Sequence, residues 1–227
     1  MAEALPPNTN DILIRSRQTV LELLQDRGYN IAPYTKLGPD ELVKLVVLSN
    51  PRPLQIIVSK TSNPSEKAFV FYSFTRIKPS VGNIASKLLG EESADRLMNP
   101  DNPTEPIDPT KTTVIYLTME QIADTFHVAS LNAYNNHKLR LQFFSIPSLV
   151  NNPMKHYLQP KFEKIPTEEH DVLLKTWYAK SKTQLPMIRY HSDMVARYMG
   201  LVVGDIVKIT SPSYSSGETI LYRVCVP

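Results

Sequence analysis

Apolar residues recur at every third or fourth position in the first stretch of the chain, which is the spacing of an amphipathic helix. Leu13, Val20 and Leu24 belong to this pattern, and polar residues able to cap a helix precede it. Gly28 is placed to end the helix, because glycine readily adopts the left-handed backbone conformation. A second helix is predicted to begin at Pro39, which is followed by two acidic residues.

Short runs of β-branched and aromatic residues predict strands after these helices. The predicted strands cover residues 54–59, 68–74, 113–117 and 138–146. A turn leading into a helix is predicted over residues 79–90, and Thr118 is expected to cap a helix that continues to about Asn132. Four prolines within residues 99–110 predict an extended surface loop. Because the strands alternate with helices, residues 1–150 are predicted to form an α/β domain.

The pattern changes at residues 148–166, where three prolines and several turn-forming residues occur. Residues 151–166 are therefore predicted to be a linker, and residues 167–227 a small α+β domain. In that domain Thr167 is expected to cap a helix that extends to residue 180. Two strands are predicted over residues 205–210 and 219–226, joined by a serine-rich loop.

A short helix, MVARYM, precedes these two strands. Ser192 or Asp193 is expected to cap it and Gly200 to end it. Two turns of helix are not stable alone, so the segment must pack against neighbouring structure. Val195, Tyr198 and Met199 are spaced to place at least one apolar face inward, and Arg197 is expected to lie exposed on a different face from Val195. Three side chains are candidates to face a partner: Arg189, Arg197 and Tyr198.

Composition and charge narrow the class of protein. The net charge of +3 is too small to indicate nucleic-acid binding by itself, although residues 155–227 hold ten Lys/Arg against seven Asp/Glu. Cys225 is the only cysteine, so the chain cannot form an internal disulfide and a reducing compartment is expected. No apolar run is long enough to span a membrane, and the first residues lack the pattern of a signal peptide.

The sequence lacks the common catalytic motifs. It contains neither a phosphate-binding glycine loop nor a G-x-S-x-G elbow, and its five histidines and one cysteine are not spaced to bind zinc. A magnesium-dependent nuclease usually needs an acid-x-Lys pair on a strand, and no Asp or Glu here is followed by Lys at the second position. We therefore expect no catalytic site, no metal and no cofactor.

The C-terminal residues resemble a known family. The elements QLPMI, D-x-VARYMGL, GDIVKI, S-x-x-SG and YR, between residues 184 and 226, are similar to the C-terminal assembly domain of the shared fifth subunit of eukaryotic nuclear RNA polymerases. The corresponding archaeal polymerase subunit consists of this domain alone. Residues 26–29 (DRGY) and 78–82 (KPSVG) resemble family segments in the first domain. The chain departs from the family at Met194, where a proline is usual, and after Thr118, where a Thr-Pro-Ser turn is usual.

The resemblance implies a structural role without chemistry. It implies an N-terminal, three-layer jaw domain with a nuclease-like fold beside downstream duplex DNA, and a C-terminal domain that docks on the largest polymerase subunit. It also implies a nuclear location, or a viral factory or the cytoplasm for a viral copy. The residues expected at the docking surface are Arg189, Asp193, Arg197, Tyr198, Tyr222 and Arg223, and those expected near DNA are Arg27, Lys78 and Thr118.

Two alternatives stay open at this point: a nuclease-like enzyme and a free-standing DNA-binding module. The second would use basic residues near one strand pair, namely Lys60, Lys67, Arg76 and Lys78, although a solvated surface is the favoured explanation for them. The sequence does not say which polymerase class would hold the chain, or whether several share it.

Overall fold

The computed structural model describes residues 9–45, 52–90, 96–98 and 107–227. The chain divides into two compact units, the first ending at Asn151 and the second beginning at Asn152. Each unit contains one four-stranded sheet with strands of both orientations, together with helices. This mixed α and β architecture confirms the predicted fold class. Within the described residues, no helix is both long and apolar enough to cross a membrane.

The first unit opens with helix α1, Thr9–Asp26, whose buried face includes Leu13, Val20 and Leu24 as the spacing predicts. Gly28 has a φ of 84° and ends the helix. Its N–H donates to the carbonyl of Gln25 at 2.8 Å, and the next N–H donates to the carbonyl of Leu24 at 2.9 Å. These two bonds form a Schellman motif, which satisfies carbonyls that the helix end would leave unpaired. Helix α2 follows at Pro39–Leu45 and begins at the predicted residue.

The sheet of the first unit contains β1 (Ile56–Ser59), β2 (Lys67–Ser73), β3 (Thr112–Thr118) and β4 (Arg140–Ser145), in that order. β1 is antiparallel to β2, whereas β2, β3 and β4 are parallel to one another. Consecutive buried residues in β2 and β3 show that both faces of the sheet are covered. One face packs against α3 (Ile84–Leu89) and α4 (Asp124–His137) through a core that includes Phe69, Val114, Phe126 and Phe143.

Helix α4 begins five residues later than predicted, so the expected role of Thr118 as its cap is wrong. Thr118 is buried, and its hydroxyl accepts a hydrogen bond from the N–H of Glu120 at 3.2 Å. The Glu120 carboxylate accepts the N–H groups of Ile77 and Lys78 at 3.3 and 3.1 Å. These tertiary hydrogen bonds hold residues 118–120 in a turn, which overrides their local tendency to form a helix.

Residues 99–106 of the proline-rich segment lie outside the described residues. Pro109–Lys111 forms a single 3₁₀ turn ahead of β3. The Asp108 side chain accepts the N–H of Thr110 at 3.0 Å and so caps this turn. Hydrogen bonds from Thr110 lower the pKa of the Asp108 carboxyl.

The sheet of the second unit has the order β5-β7-β8-β6. Its strands are β5 (Lys161–Lys164), β6 (Met187–Arg189), β7 (Ile206–Ser213) and β8 (Gly217–Val226). β7 and β8 form a long hairpin, β5 pairs antiparallel with β7, and β6 pairs parallel with β8. Both predicted strands of the hairpin are present, and they extend into the segment predicted as a serine-rich loop.

Strand β5 lies within residues 151–166, which the sequence pattern predicts to be a linker. The strand forms because Phe162 aligns with Ile209, and because the N–H of Ile165 donates to the carbonyl of Ile206 at 2.9 Å. Helix α5 covers only His170–Thr176, and the Thr167 side chain does not cap it. The helix predicted from Thr167 to residue 180 is therefore shorter than expected.

Candidate functional site

Helix α6, Met194–Met199, has the two ends that the sequence predicts. Oδ1 of Asp193 accepts the N–H groups of Val195 and Ala196 at 2.8 and 3.3 Å. Gly200 has a φ of 67° and ends the helix in the left-handed conformation. The Asp193 carboxylate therefore acts within its own unit as an N-cap, whatever else it contacts.

The packing of α6 differs from the expected one. Ala196 and Tyr198 are its buried residues, whereas Val195 is only half-buried. The Tyr198 hydroxyl accepts a hydrogen bond from the Asn152 side-chain amide at 3.0 Å. Tyr198 is thus a packing residue of this unit, which agrees with its place on the expected inward face, and the expectation that it faces a partner is wrong. The reason is that the helix packs against the turn Pro153–Lys155, which lies in the predicted linker.

Arg197 is also more enclosed than expected. The side chain is half-buried, and loss of hydration lowers the pKa of its guanidinium to about 10, although the negative charge of Asp193 partly opposes that change. An exposed arginine that serves only as a docking contact would keep its hydration. The expected exposure of Arg197 is therefore wrong, and the residue contributes to the interior of the unit.

The remaining predicted docking residues lie on β6 and β8. Arg189 and Arg223 are exposed, and neither forms an ion pair within the described residues. Tyr222 is half-buried because the ring of Trp177 packs edge-on against it, with the ring centroids 5.5 Å apart. The sequence pattern did not single out the exposed apolar side chains around these residues, which are Trp177, Met187, Ile220 and Leu221.

The three residues expected near DNA lie in two places in the first unit. Lys78 is exposed and follows β2, and its N–H contacts the same Glu120 that bonds to Thr118. Thr118 is fully buried and so cannot touch DNA. Arg27 follows α1, near the amino-terminal ends of the parallel strands, and its guanidinium donates to Oε1 of Gln142 at 2.7 Å. The structure therefore leaves Lys78 as the exposed member of this set.

The basic residues considered for a DNA-binding module are not equally accessible. Lys67 is 9% exposed. The Lys60 ammonium is 3.0 Å from the Glu66 carboxylate. Burial tends to raise the pKa of Glu66, but the ion pair with Lys60 outweighs it, and the pKa is lowered. Only Arg76 and Lys78 of that set are exposed, which gives too few charges for a phosphate-binding surface.

A polar cluster around His170 and Lys182 connects segments of the C-terminal unit. His170 is buried, and its Nε2 donates to the carbonyl of Ile165 at 3.2 Å. The carbonyl can only accept, so Nδ1 of the neutral ring is the acceptor for the Lys182 ammonium, 2.8 Å away. Lys182 also donates to the carbonyl of Gly204 at 3.0 Å. The cluster connects the segment after β5 to the turn before β7, so these contacts stabilise the fold of the unit.

Cys225 is buried in β8, where burial, with a smaller contribution from Asp205, raises the pKa of its thiol to about 12. Such a thiol is not a nucleophile at neutral pH. Among the described residues, no group of three or more His, Cys, Asp or Glu side chains could hold a metal ion.

Comparison with known proteins gives the class and then the family. Residues 151–225 match the family model described as "RNA polymerase Rpb5, C-terminal domain". The chain is 32% identical over 214 residues to "DNA-directed RNA polymerases I, II, and III subunit rpabc1" of Dictyostelium discoideum. The aligned region covers 94% of this chain and 97% of that protein. It is 30% identical over 221 residues to "DNA-directed RNA polymerases I, II, and III subunit RPABC1" of Caenorhabditis elegans, with 94% and 95% covered.

A more distant relative is "DNA-directed RNA polymerases IV and V subunit 5B" of Arabidopsis thaliana, at 27% identity over 222 residues, with 93% of this chain and 88% of that protein covered. The similarity thus extends through both units of the fold and defines an RNA polymerase subunit class. The chain belongs to the family of RNA polymerase subunit 5, Rpb5.

Proposed function

We propose that this protein is a non-catalytic structural subunit of a multisubunit DNA-directed RNA polymerase. The observation that carries the proposal is its similarity over 94% of its length to a subunit named for polymerases I, II and III. Other subunits would supply the catalytic metal and bind the nucleotides. The implied location is the nucleus, where a eukaryotic polymerase of this kind acts, or the nucleolus for the class I enzyme.

We further propose a division of labour between the two units. Residues 167–227 would dock on the largest subunit, and residues 1–150, with a nuclease-like fold, would form the lower jaw beside downstream DNA. The region between them, residues 151–166, would connect the two domains. The exposed positions of Arg189 and Arg223 support a docking role for β6 and β8. Asp193 and Arg197 contribute mainly by fixing the shape of that surface, because both take part in internal contacts.

DNA contact in this proposal is weak and independent of sequence. The net charge of +3 is small, and the exposed cations Arg76 and Lys78 after β2 could contact few phosphates. Each phosphate contact releases about one counterion, so binding by the isolated chain should fall steeply as salt is added. Tight binding of the isolated chain to one duplex sequence in physiological salt would instead support a free-standing regulator.

The direct test is purification of the tagged full-length chain from its own cells. A polymerase subunit should bring down large partner subunits in equal molar amounts, including the largest, whereas a nuclease-like enzyme or a free module should not. The double variant Arg189→Glu, Arg223→Glu should reduce this recovery, because a reversed charge at a docked surface is strongly unfavourable. The double variant Lys36→Glu, Lys87→Glu is a matched control, since both lysines are exposed and lie in the first unit, outside β6 and β8. If the wild-type chain recovers no polymerase, the proposed function is wrong.

A further inference from the structure

The outer edge of β8 is open over most of its length. β6 covers only the end of β8, where Met187 aligns with Val224 and Arg189 with Val226. β6 cannot continue backwards along this edge because Pro186 has no N–H to donate. Within the described residues, no strand pairs with β8 on this side over residues 217–223. β8 is therefore an edge strand for seven residues.

The direction of each backbone group on β8 follows from two hydrogen bonds. The N–H of Cys225 donates to the carbonyl of Asp205 on the β7 side, at 2.8 Å, and the N–H of Val224 donates to Pro186 on the β6 side, at 2.9 Å. The β7–β8 register continues without a bulge from Val224 to Gly217. Because successive residues alternate between the two edges, Ile220 and Tyr222 direct both their N–H and their C=O to the open edge. The carbonyl of Glu218 also faces this edge, and the Ser216 hydroxyl donates to it at 3.1 Å.

The two edges of this sheet differ in the features that prevent pairing with other chains. The outer edge of β5 is four residues long and carries Lys161, Glu163 and Lys164, and short charged strands are unsuited to further pairing. The open part of β8 has the sequence GETILYR, without proline or lysine. Ile220 and Leu221 are 40% and 48% exposed. A long edge strand of this composition is normally covered, because an exposed one would pair with strands of other chains without selectivity.

An apolar ledge, formed by Ile220, Tyr222 and Trp177, lies beside the open edge. Ile220 and Tyr222 lie on the same face of β8, and Trp177, which is 55% exposed, packs against Tyr222. Side chains of a strand placed alongside β8 would contact these residues on that face. Exposed aromatic surface of this kind is typical of the centre of a protein interface.

The charges beside the edge identify the kind of strand that fits. Arg223 lies on the face opposite Tyr222, and Arg189 lies on β6, which occupies the same edge. Both arginines are exposed and lack an ion pair within the described chain. Because Arg189 aligns with Val226, it lies on the face of Tyr222 and beyond the open part of the edge. Arg223 is thus the arginine that a carboxylate on an incoming strand would neutralise.

A second copy of this chain fits the edge less well. In an antiparallel pair, residues directly opposite each other lie on the same face. Arg223 and Glu218 lie on opposite faces of β8, so antiparallel pairing of two β8 strands cannot place the glutamate of one copy opposite the arginine of the other. Such a dimer would therefore not pair Arg223 with Glu218 of the other copy.

We propose that the open edge of β8, residues 218–222, accepts an extended segment from another polymerase subunit as an added strand. The segment carries alternating apolar side chains against Ile220, Tyr222 and Trp177, and an acidic residue against Arg223. This inference rests on the proposed function and specifies how the C-terminal unit docks. Backbone hydrogen bonds from Ile220 and Tyr222 provide affinity, and the ledge and Arg223 provide specificity.

The test uses the full-length tagged chain, the polymerase recovered with it and the variant Ile220→Pro. Proline removes an N–H that faces the open edge and leaves the bonds to β7 in place, and edge strands tolerate proline in that orientation. The variant should melt within a few degrees of the wild type but recover about tenfold less polymerase. Ile220→Val keeps both the N–H and a β-branched side chain, so it should recover as much as the wild type. Hydrogen exchange at the N–H groups of Glu218, Ile220 and Tyr222, which face the open edge, should be fast in the isolated chain and slow in the purified polymerase.

The outcomes separate this proposal from the proposed function. If the wild type recovers polymerase and folded Ile220→Pro recovers it equally well, or if exchange at the N–H groups that face the open edge is unchanged by assembly, the strand-addition proposal is overturned while the subunit role stands. If the isolated chain forms a dimer that Ile220→Pro abolishes, the occupant is a second copy and the proposal is also overturned. If Ile220→Pro does not fold, the exchange measurement on the wild type decides.

Discussion

The ammonium of Lys164 lies 2.6 Å from Oδ2 of Asp205, and this ion pair joins β5 to the residue before β7. The Asp205 side chain is 9% exposed, and the same oxygen accepts the N–H of Val202 at 2.8 Å. The carboxylate therefore fixes two segments at once: the turn that starts the hairpin and the strand that closes one edge of the sheet.

Replacing Asp205 by alanine should destabilise the full-length chain by about 2 kcal/mol, because the part-buried N–H of Val202 and the Lys164 ammonium lose their acceptor. Lys164→Met should cost less, about 1 kcal/mol, since the lysine side chain is 44% exposed. The measurement is chemical denaturation followed by circular dichroism. Lys161→Met is the matched control, because it removes a lysine from the same strand. The ion pair of Lys161 with Glu163 is exposed, so this variant should leave the denaturation midpoint unchanged. Equal effects of Asp205→Ala and Lys161→Met would contradict this account.

Arg197 should contribute to stability, whereas the sequence alone predicts an exposed residue whose replacement leaves stability unchanged. Its guanidinium is largely enclosed, so Arg197→Glu should destabilise the isolated chain by about 3 kcal/mol by placing a carboxylate in the same site. Arg189→Glu is the control, since this exposed residue should change stability by no more than about 0.5 kcal/mol. Thermal melting of the two variants checks the prediction. An Arg197→Glu chain that melts like the wild type would instead support an exposed docking role for this residue.

Local sequence predicted the elements whose ends depend on their own residues. Gly28 and Gly200 adopt the left-handed conformation that their positions suggest, and the Asp193 cap forms as expected. Strands β2 and β3 were identifiable because their β-branched and aromatic runs are buried on both faces. In each case the information lies within a few neighbouring residues.

Features set by distant contacts were not predictable in the same way. The start of α4 depends on Glu120 bonding to the segment after β2. β5 is only four residues long and mostly charged, and pairing with β7 makes it a strand. The hydrogen bond of the Tyr198 hydroxyl depends on Asn152, 46 residues away in sequence. The open edge of β8 could not be recognised before the strand order was known.

Cys225 should react slowly in the folded chain. Burial raises the pKa of its thiol to about 12, whereas an unfolded thiol titrates near about 8.5. Because folding raises this pKa, the thiol's contribution to stability is present at neutral pH and is lost as the pH rises toward the folded value. Alkylation by iodoacetamide at about pH 8 should be at least about tenfold slower in buffer than in denaturant. A Cys225→Ser chain provides the blank, and equal labelling rates in the two conditions would show that the thiol is accessible.

The boundary of the C-terminal domain gives the last prediction, which compares two fragments. Residues 152–227 include β5, with the Lys164–Asp205 ion pair, the hydrogen bond from Ile165 to Ile206 and the contact of His170 with Ile165. Residues 167–227 lack all three and expose the edge of β7. The longer fragment should fold alone and melt cooperatively by circular dichroism, because its contacts form a compact unit. The shorter one should melt at a lower temperature or not fold, and limited proteolysis should cleave it faster. Equal stability of the two fragments would show that β5 adds nothing and that residues 151–166 act only as a linker.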